Sequence, residues 1–256
     1  MQDTREALRS GSAQDQSEVI DRIIDVSCNP ARACRDSIGV DVEGLSGKRV
    51  LDIASGLSDF VALANENGAT AFGVDLAYAD KARLKEKGKA FLDEVAGPYA
   101  KTKLPTCHKP IIGHDILDRQ TQIMDDLNGG SMQRALNDIE RSPASYIAAN
   151  CLAMPFPNGT FDLAISHCFL TSTAGSAREF LIESILEAMR VLKKGSSLRL
   201  GVNDFHANNG QWGPEVEANL KAAFERAKAE RLAEKMAKYS IDGRMYWYDI
   251  KRSRKR

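Results

Sequence analysis

The sequence predicts an α/β fold on a mostly parallel sheet, with helices on both faces and an antiparallel hairpin towards its C-terminal end. Three observations carry that prediction. Short apolar runs of strand length alternate with amphipathic helical stretches, the pattern of βαβ units. The first strand, helix and second strand fit within about 30 residues, the usual size of one such unit. An Asp242-Gly243 pair then parts two β-like runs, which is a hairpin signal.

Residues 16–40 begin with a helical pattern in Val19, Ile20, Ile23 and Ile24, broken at Asn29-Pro30. The run from Val50 to Ala54 is the first expected strand, and a helix follows from Asp59 to Asn67 with Gly68 as its stop. Ala71 to Val74, ending in Asp75, is the second strand. About 70 residues then pass without a strand pattern, far more than a usual crossover. They hold a lysine-rich helical segment (81–96), a loop with Pro98, Pro105 and Pro110, and polar helical pieces near 119–127 and 131–141. With its thin apolar content, 81–144 reads as an insertion or lid rather than a separate domain. The alternation resumes at 145–149 and 161–165, followed by an amphipathic helix over 177–192 carrying Leu181, Ile185, Met189 and Leu192. Lys193-Lys194-Gly195 closes that helix, and 198–202 is the next strand. Pro214 sits at a helix-start position, and helix formers continue to about Lys238. The hairpin strands are expected at Tyr239 to Ile241 and Met245 to Ile250.

Composition bounds the answer. The 256 residues carry 35 basic and 35 acidic side chains, with 43% hydrophobic and 27% charged residues, which excludes disordered and collagenous chains. Residues 1–80 hold 7 basic against 14 acidic side chains, and 214–256 hold 12 against 7. The neutral total gives no support for a nucleic-acid binder, and the basic stretch Lys251 to Arg256 reads as a solvated end. Nucleic acid is therefore not the expected partner. The five cysteines form no CxxC pair and no zinc spacing, so no metal is expected and the thiols read as reduced. No run approaches the ~20 apolar residues of a membrane span. MQDTREALRS lacks an apolar leader core, so the expected location is cytoplasmic.

The chemistry concentrates in two places. Asp52-Ile53-Ala54-Ser55-Gly56-Leu57-Ser58 lies between the first strand and first helix, where small residues let the backbone turn and approach a ligand. A dinucleotide pyrophosphate wants a G-x-G-x-x-G loop and bare amides. Here an Asp opens the loop instead, which suits a ligand bearing an ammonium group. Asp75 ends the second strand, where a carboxylate can accept from both hydroxyls of a ribose. The second place is the segment Ala149 to Ser166. It runs through a polar strand end, a Pro155-Phe156-Pro157 turn, an Asn158-Gly159 turn and a strand led by Phe161-Asp162.

In these motifs the chain resembles the class I S-adenosylmethionine (SAM)-dependent methyltransferases, near the small-molecule group related to ubiquinone and menaquinone methyltransferases. The resemblance runs from about Lys48 to Asp80 and from Ser145 to Val202, including the Arg190 to Gly195 turn. It implies one Rossmann-like domain over 1–256 with a seven-stranded sheet; outside the motifs, 1–45 is expected as an N-terminal helical cap and 81–144 as a lid on the acceptor side. It implies SAM as cofactor, with Asp52, Ala54, Gly56 and Ser58 facing its methionine portion, Asp75 holding the ribose and Leu76 packing on the adenine. Asn150 and Cys151 stand where the family commonly has Asp-Ala, so Asn150 is expected at the adenine amino group. Ala54 and Ser58 depart from the family's usual glycines.

Methyl transfer needs alignment of a nucleophile and, for some acceptors, loss of its proton. Ser166-His167-Cys168-Phe169 ends the fourth strand, where His167 is the candidate general base; the alternative readings are contact with SAM or simple packing. Asn203, Asp204 and His206 follow the fifth strand at the pocket mouth, while His108 and His114 read as loop histidines. The expected activity is methyl transfer to oxygen or nitrogen of a small molecule. Nucleic-acid methylation, a nicotinamide-dependent oxidoreductase and a non-catalytic SAM-binding protein are its rivals.

Overall fold

The structure is a computed structural model that describes residues 31, 38–96, 130–167, 178–203, 212–240 and 245–254. Seven strands, in the order β3-β2-β1-β4-β5-β7-β6, form one sheet. They are β1 (Arg49–Ile53), β2 (Thr70–Asp75), β3 (Tyr146–Ala148), β4 (Phe161–His167), β5 (Leu192–Asn203), β6 (Ala233–Ser240) and β7 (Met245–Arg252). β1 to β5 run parallel, whereas β7 is antiparallel to both β5 and β6. This is the predicted mostly parallel, Rossmann-like arrangement with its C-terminal antiparallel pair.

The central strands are apolar on both sides, as buried parallel strands must be. All but the first residue of Arg-Val-Leu-Asp-Ile in β1 are buried. One face packs Leu51, Ile53, Ala164, Leu198 and Leu200 against α4 (Arg178–Val191) and α5 (Trp212–Ala229). The other packs Val50, Leu163 and Ile165 beneath α1 (Phe60–Glu66), α2 (Lys81–Ala96) and α3 (Ser131–Arg141). Ile38 and Val40 join that second layer, so the stretch before β1 covers the same face as the helices that follow it. Among the described residues no helix is long and apolar enough to cross a membrane.

Four sequence expectations change. The helix expected to reach Lys238 ends at Ala229, and β6 begins at Ala233. Arg231 turns the chain between them in a left-handed conformation, φ 59°. Ala-Glu-Lys-Met-Ala-Lys is good helix composition, but pairing along β7 from Ala233↔Arg252 to Ser240↔Tyr246 outweighs so weak a local preference. The β6 strand therefore starts well before the expected Tyr239, and the Asp242-Gly243 turn lies outside the described residues. Lys193-Lys194-Gly195 does not close a helix but lies inside β5. There the register slips between Phe161↔Leu192 and Leu163↔Ser197, and Gly195 takes φ 79°. Finally, the stretch read as thinly apolar supplies core: Leu84, Met132, Leu136 and Ile139 are all at most 4% exposed. Met132, Ala135, Leu136 and Ile139 make one stripe at i, i+3, i+4 and i+7, and its polar neighbours masked it in the sequence. The 119–127 piece and the proline loop lie outside the described residues.

Candidate cofactor site

The strand order reverses at β1, whose neighbours are β2 on one side and β4 on the other. Such a switch point leaves a crevice at the carboxyl ends of the strands. The loop after β1 opens into it. Ala54 N and Ser55 N both donate to Val74 O of β2, at 2.8 and 3.3 Å, which folds the loop over the end of β2. The turn requires left-handed backbone at Ala54 (φ 58°) and Gly56 (φ 52°). Glycine adopts this freely, whereas alanine pays roughly 1 kcal/mol, so Ala54 is strained where the related family carries glycine. Ser58 Oγ accepts from Phe60 N at 3.2 Å, giving the substituted glycine position a use at the start of α1.

Two carboxylates are buried at this turn. Asp75, at the end of β2, accepts from Gly56 N (3.1 Å) through one oxygen and from Ala77 N (2.9 Å) through the other. Asp52 accepts from Ser55 Oγ at 2.8 Å, and its second oxygen has no partner among the described residues. Burial pushes both up, Asp52 to about 7 and Asp75 to about 6, and for Asp52 the charge of Asp75 adds to the rise. Two carboxyls raised by burial in one crevice favour a cation beside them, because a positive charge offsets the cost of ionising them. Leu76, next in the chain, is 41% exposed, and Tyr239 is the only other large hydrophobic so exposed among the described residues.

The opposite wall comes from β3 and β4. Asp75 pairs with Ala148, so Asn150 stands two residues beyond the carboxylate's row at the same sheet edge. Asn150 Oδ1 accepts from Leu152 N at 3.0 Å, fixing the turn that follows. The Cys151 side chain is committed to the core, 9% exposed with Sγ 3.4 Å from Ser184 Oγ. Burial pushes its thiol up to about 11, so it is neutral and inert at physiological pH. The Pro155-Phe156-Pro157 and Asn158-Gly159 turns are held from α4. Arg190 donates to Met154 O, Phe156 O and Asn158 Oδ1 at 2.7 to 3.0 Å, and pairs with Glu187, whose Oε1 accepts from Met154 N at 2.6 Å. Asp162 in turn accepts from Arg49 N and Lys193 Nζ, at 2.8 and 2.7 Å. These contacts make 154–162 a scaffold, tied to α4, β1 and β5.

His167 ends β4 opposite Gly201 of β5, half-buried at the same edge as the loop. Desolvation lowers it to about 4, so the imidazole is neutral at pH 7 but binds a proton weakly. A general base works best with a pKa near the operating pH, and this shift argues against the base role expected from sequence. Asn203 is the last residue of β5. Cys168, Phe169, Asp204, His206, His108 and His114 lie outside the described residues.

Asp52, Ala54, Gly56, Ser58, Asp75, Leu76, Asn150 and His167 thus all stand at one end of the sheet. Sequence reasoning missed two partners of the loop. Tyr78 OH donates to Gly56 O at 2.7 Å, and Asp59 Oδ1 accepts from Ala31 N at 2.7 Å while its Oδ2 faces Arg134 at 3.4 Å. Asp59 so joins the N-terminal segment and α3 to the start of α1. Neither contact leaves a mark in local spacing, since both partners come from elsewhere in the chain. Among the described residues no three His, Cys, Asp or Glu side chains are grouped to hold a metal.

Residues 118–200 match the family model of the methyltransferase domain, a stretch that takes in β3, β4, α4 and most of β5. That match is to the general domain and does not single out the quinone-related group. No curated protein matches the chain. Among solved structures, PigF with SAH bound aligns with a TM-score of 0.50 at 11% identity, covering 93% of this chain and 60% of that one. The PH0226 protein from Pyrococcus horikoshii OT3 aligns at 0.46 and 14% identity over 96% and 93% of the two chains. A SAM-dependent methyltransferase from Aquifex aeolicus aligns at 0.46 and 11% over 92% and 97%. At such identities the PigF likeness speaks for the fold alone.

Proposed function

We propose that the chain is a class I SAM-dependent methyltransferase that transfers a methyl group to an oxygen or nitrogen of a small molecule, a reading supported by its sheet order and by the methyltransferase-domain match over 118–200. The observation that carries the reading is the gathering of two buried carboxylates, an exposed leucine and His167 at the carboxyl ends of β1, β2 and β4. SAM supplies an electrophilic methyl on a sulfonium, which leaves the protein to bind, align and, for a hydroxyl, remove a proton.

The donor set fits SAM. Asp52, with one oxygen unpartnered among the described residues, would take its ammonium group. Asp75 accepts from Gly56 N of the loop through one oxygen and from Ala77 N of the following turn through the other, and each oxygen can accept further from a ribose hydroxyl. Leu76 offers an apolar face to the adenine, and Asn150 a side-chain amide to its edge. Ala54, Gly56 and Ser58 contribute backbone proximity, and Cys151 holds its part of the wall from inside the core. A nicotinamide dinucleotide fits less well, because its pyrophosphate would meet Asp52 at the loop's opening. His167 lies on the β4 side, where a neutral ring nitrogen can orient an acceptor without storing its proton.

The test is turnover of methyl-labelled SAM to S-adenosylhomocysteine (SAH) against a panel of hydroxyl- and amine-bearing metabolites, with total RNA and DNA as further acceptors. Label on a small molecule is the expected result; label on nucleic acid alone contradicts it. In the same assay His167→Gln keeps kcat within about tenfold of the wild type. A loss in the general-base range of roughly 10²- to 10⁴-fold would restore the base role to His167.

A further inference from the structure

The loop that meets the cofactor carries less glycine than its shape calls for, with Ala54 held at φ 58°. Strained backbone persists only where its surroundings over-determine it. The surroundings here lie beneath the loop. Tyr78 stands three residues after Asp75, in the 3₁₀ turn Leu76–Asp80, and is 2% exposed. Its hydroxyl donates to Gly56 O at 2.7 Å. The same residue's amide donates to Asp75, so Gly56 is gripped at both its N–H and its C=O. Ser55 Oγ bonds to Asp52 beside it. Both hydroxyls sit over Gly73 of β2: a Cβ there would stand 3.0 Å from Ser55 Oγ and 3.3 Å from Tyr78 OH. The ring of Tyr78 packs edge-on against Tyr146, with centroids 5.3 Å apart.

We propose that Tyr78 is a positioning residue for methyl transfer, holding the Gly56 carbonyl from below so that the Asp52–Ser58 loop is already shaped to receive SAM. The inference rests on the SAM-dependent reading above. Without the hydroxyl, Gly56 O loses a buried donor, and the loop can relax out of the strained conformation before the cofactor arrives. Binding must then reorder it. The cost falls on cofactor affinity and leaves the chemical step alone.

Tyr78→Phe keeps the ring and removes only the hydroxyl. Tyr146→Phe is the matched control, because Tyr146 is buried on the same sheet face but donates to Asp138 (2.8 Å), away from the loop. The Tyr78→Phe enzyme is expected to show about a tenfold rise in both Kd and KM for SAM with kcat within twofold, worth roughly 1.4 kcal/mol. Tyr146→Phe is expected to lower Tm and leave SAM affinity unchanged. Gly73→Ala, whose added Cβ crowds both hydroxyls, should weaken SAM binding as Tyr78→Phe does, and it supplies a second reading should Tyr78→Phe fold poorly. SAM affinity equal to wild type in Tyr78→Phe or Gly73→Ala overturns the inference. So does an equal loss in Tyr146→Phe, which would reduce the effect to general destabilisation. A wild-type protein that binds no SAM is a different failure, since it overturns the functional reading itself.

Discussion

Asp52 and Asp75 show how burial can prepare a site for charge. Both carboxyls are raised in the fold, to about 7 and about 6, from the ordinary aspartate value of 3.8. The native state therefore holds protons that the unfolded chain has released. Where that is so, stability falls as pH rises, here from about pH 4 to about pH 7, and levels off above. A bound cation reverses the preference, because it favours the ionised carboxyls. Two linked outcomes are expected. These groups make the cofactor-free protein melt higher at pH 5 than at pH 8, and SAM raises Tm more at pH 8 than at pH 5. Asp52→Asn should flatten the first trend and remove most of the second, as scanning calorimetry across that range would record. Ala54 is the counterpart in backbone. Its strain was visible in sequence only as a departure from glycine, and its meaning came from the φ of 58° and the contacts that impose it.

Helix α3 and strand β6 depart from the sequence reading in different ways: α3 lies at the expected 131–141 but is buried, whereas β6 stands where a helix was expected. In α3 the apolar stripe was present, but Gln, Arg, Asn and Asp between its members made the segment look like a solvated insertion. Leu136, 1% exposed, packs with Leu84 and Met132 on the sheet face that carries the cofactor loop. Leu136→Ala should cost about 3 kcal/mol in urea unfolding, the range of a buried leucine, whereas a lid residue clear of the core would lose less than about 0.5 kcal/mol. In β6 the local preference was helical, and only the partner strand β7 decides otherwise. The first two strands, α1 and α4 were legible because their signals are local and agree with their packing. The turn motifs of 149–166 were legible too, although their work is structural. Arg190 and Asp162 hold them in place, and that could be read only from contacts some thirty residues apart.

For the whole molecule, sequence spacing already brought Asp52, Asp75 and the end of β4 towards one edge, since parallel strands place their carboxyl ends together. It could not show what lies beneath or across that edge. Tyr78 under the loop, Asp59 joining Ala31 to Arg134, and Arg199 reaching the carbonyls of Ile38 and Gly39 are tertiary contacts without a local signature. The neutral total of 35 basic and 35 acidic residues likewise conceals the placement that matters, two carboxyls buried where a cationic cofactor would lie. The acceptor leaves no motif in the sequence, since the 81–144 stretch expected to shape its side carries no recognisable pattern. The central claim concerns the cofactor, and calorimetric titration tests it most directly. At pH 8, SAM and SAH should each bind one site per chain with micromolar affinity, and Asp75→Ala should weaken both at least tenfold. No heat from either ligand at high micromolar concentration, with NADH binding in their place, would contradict it.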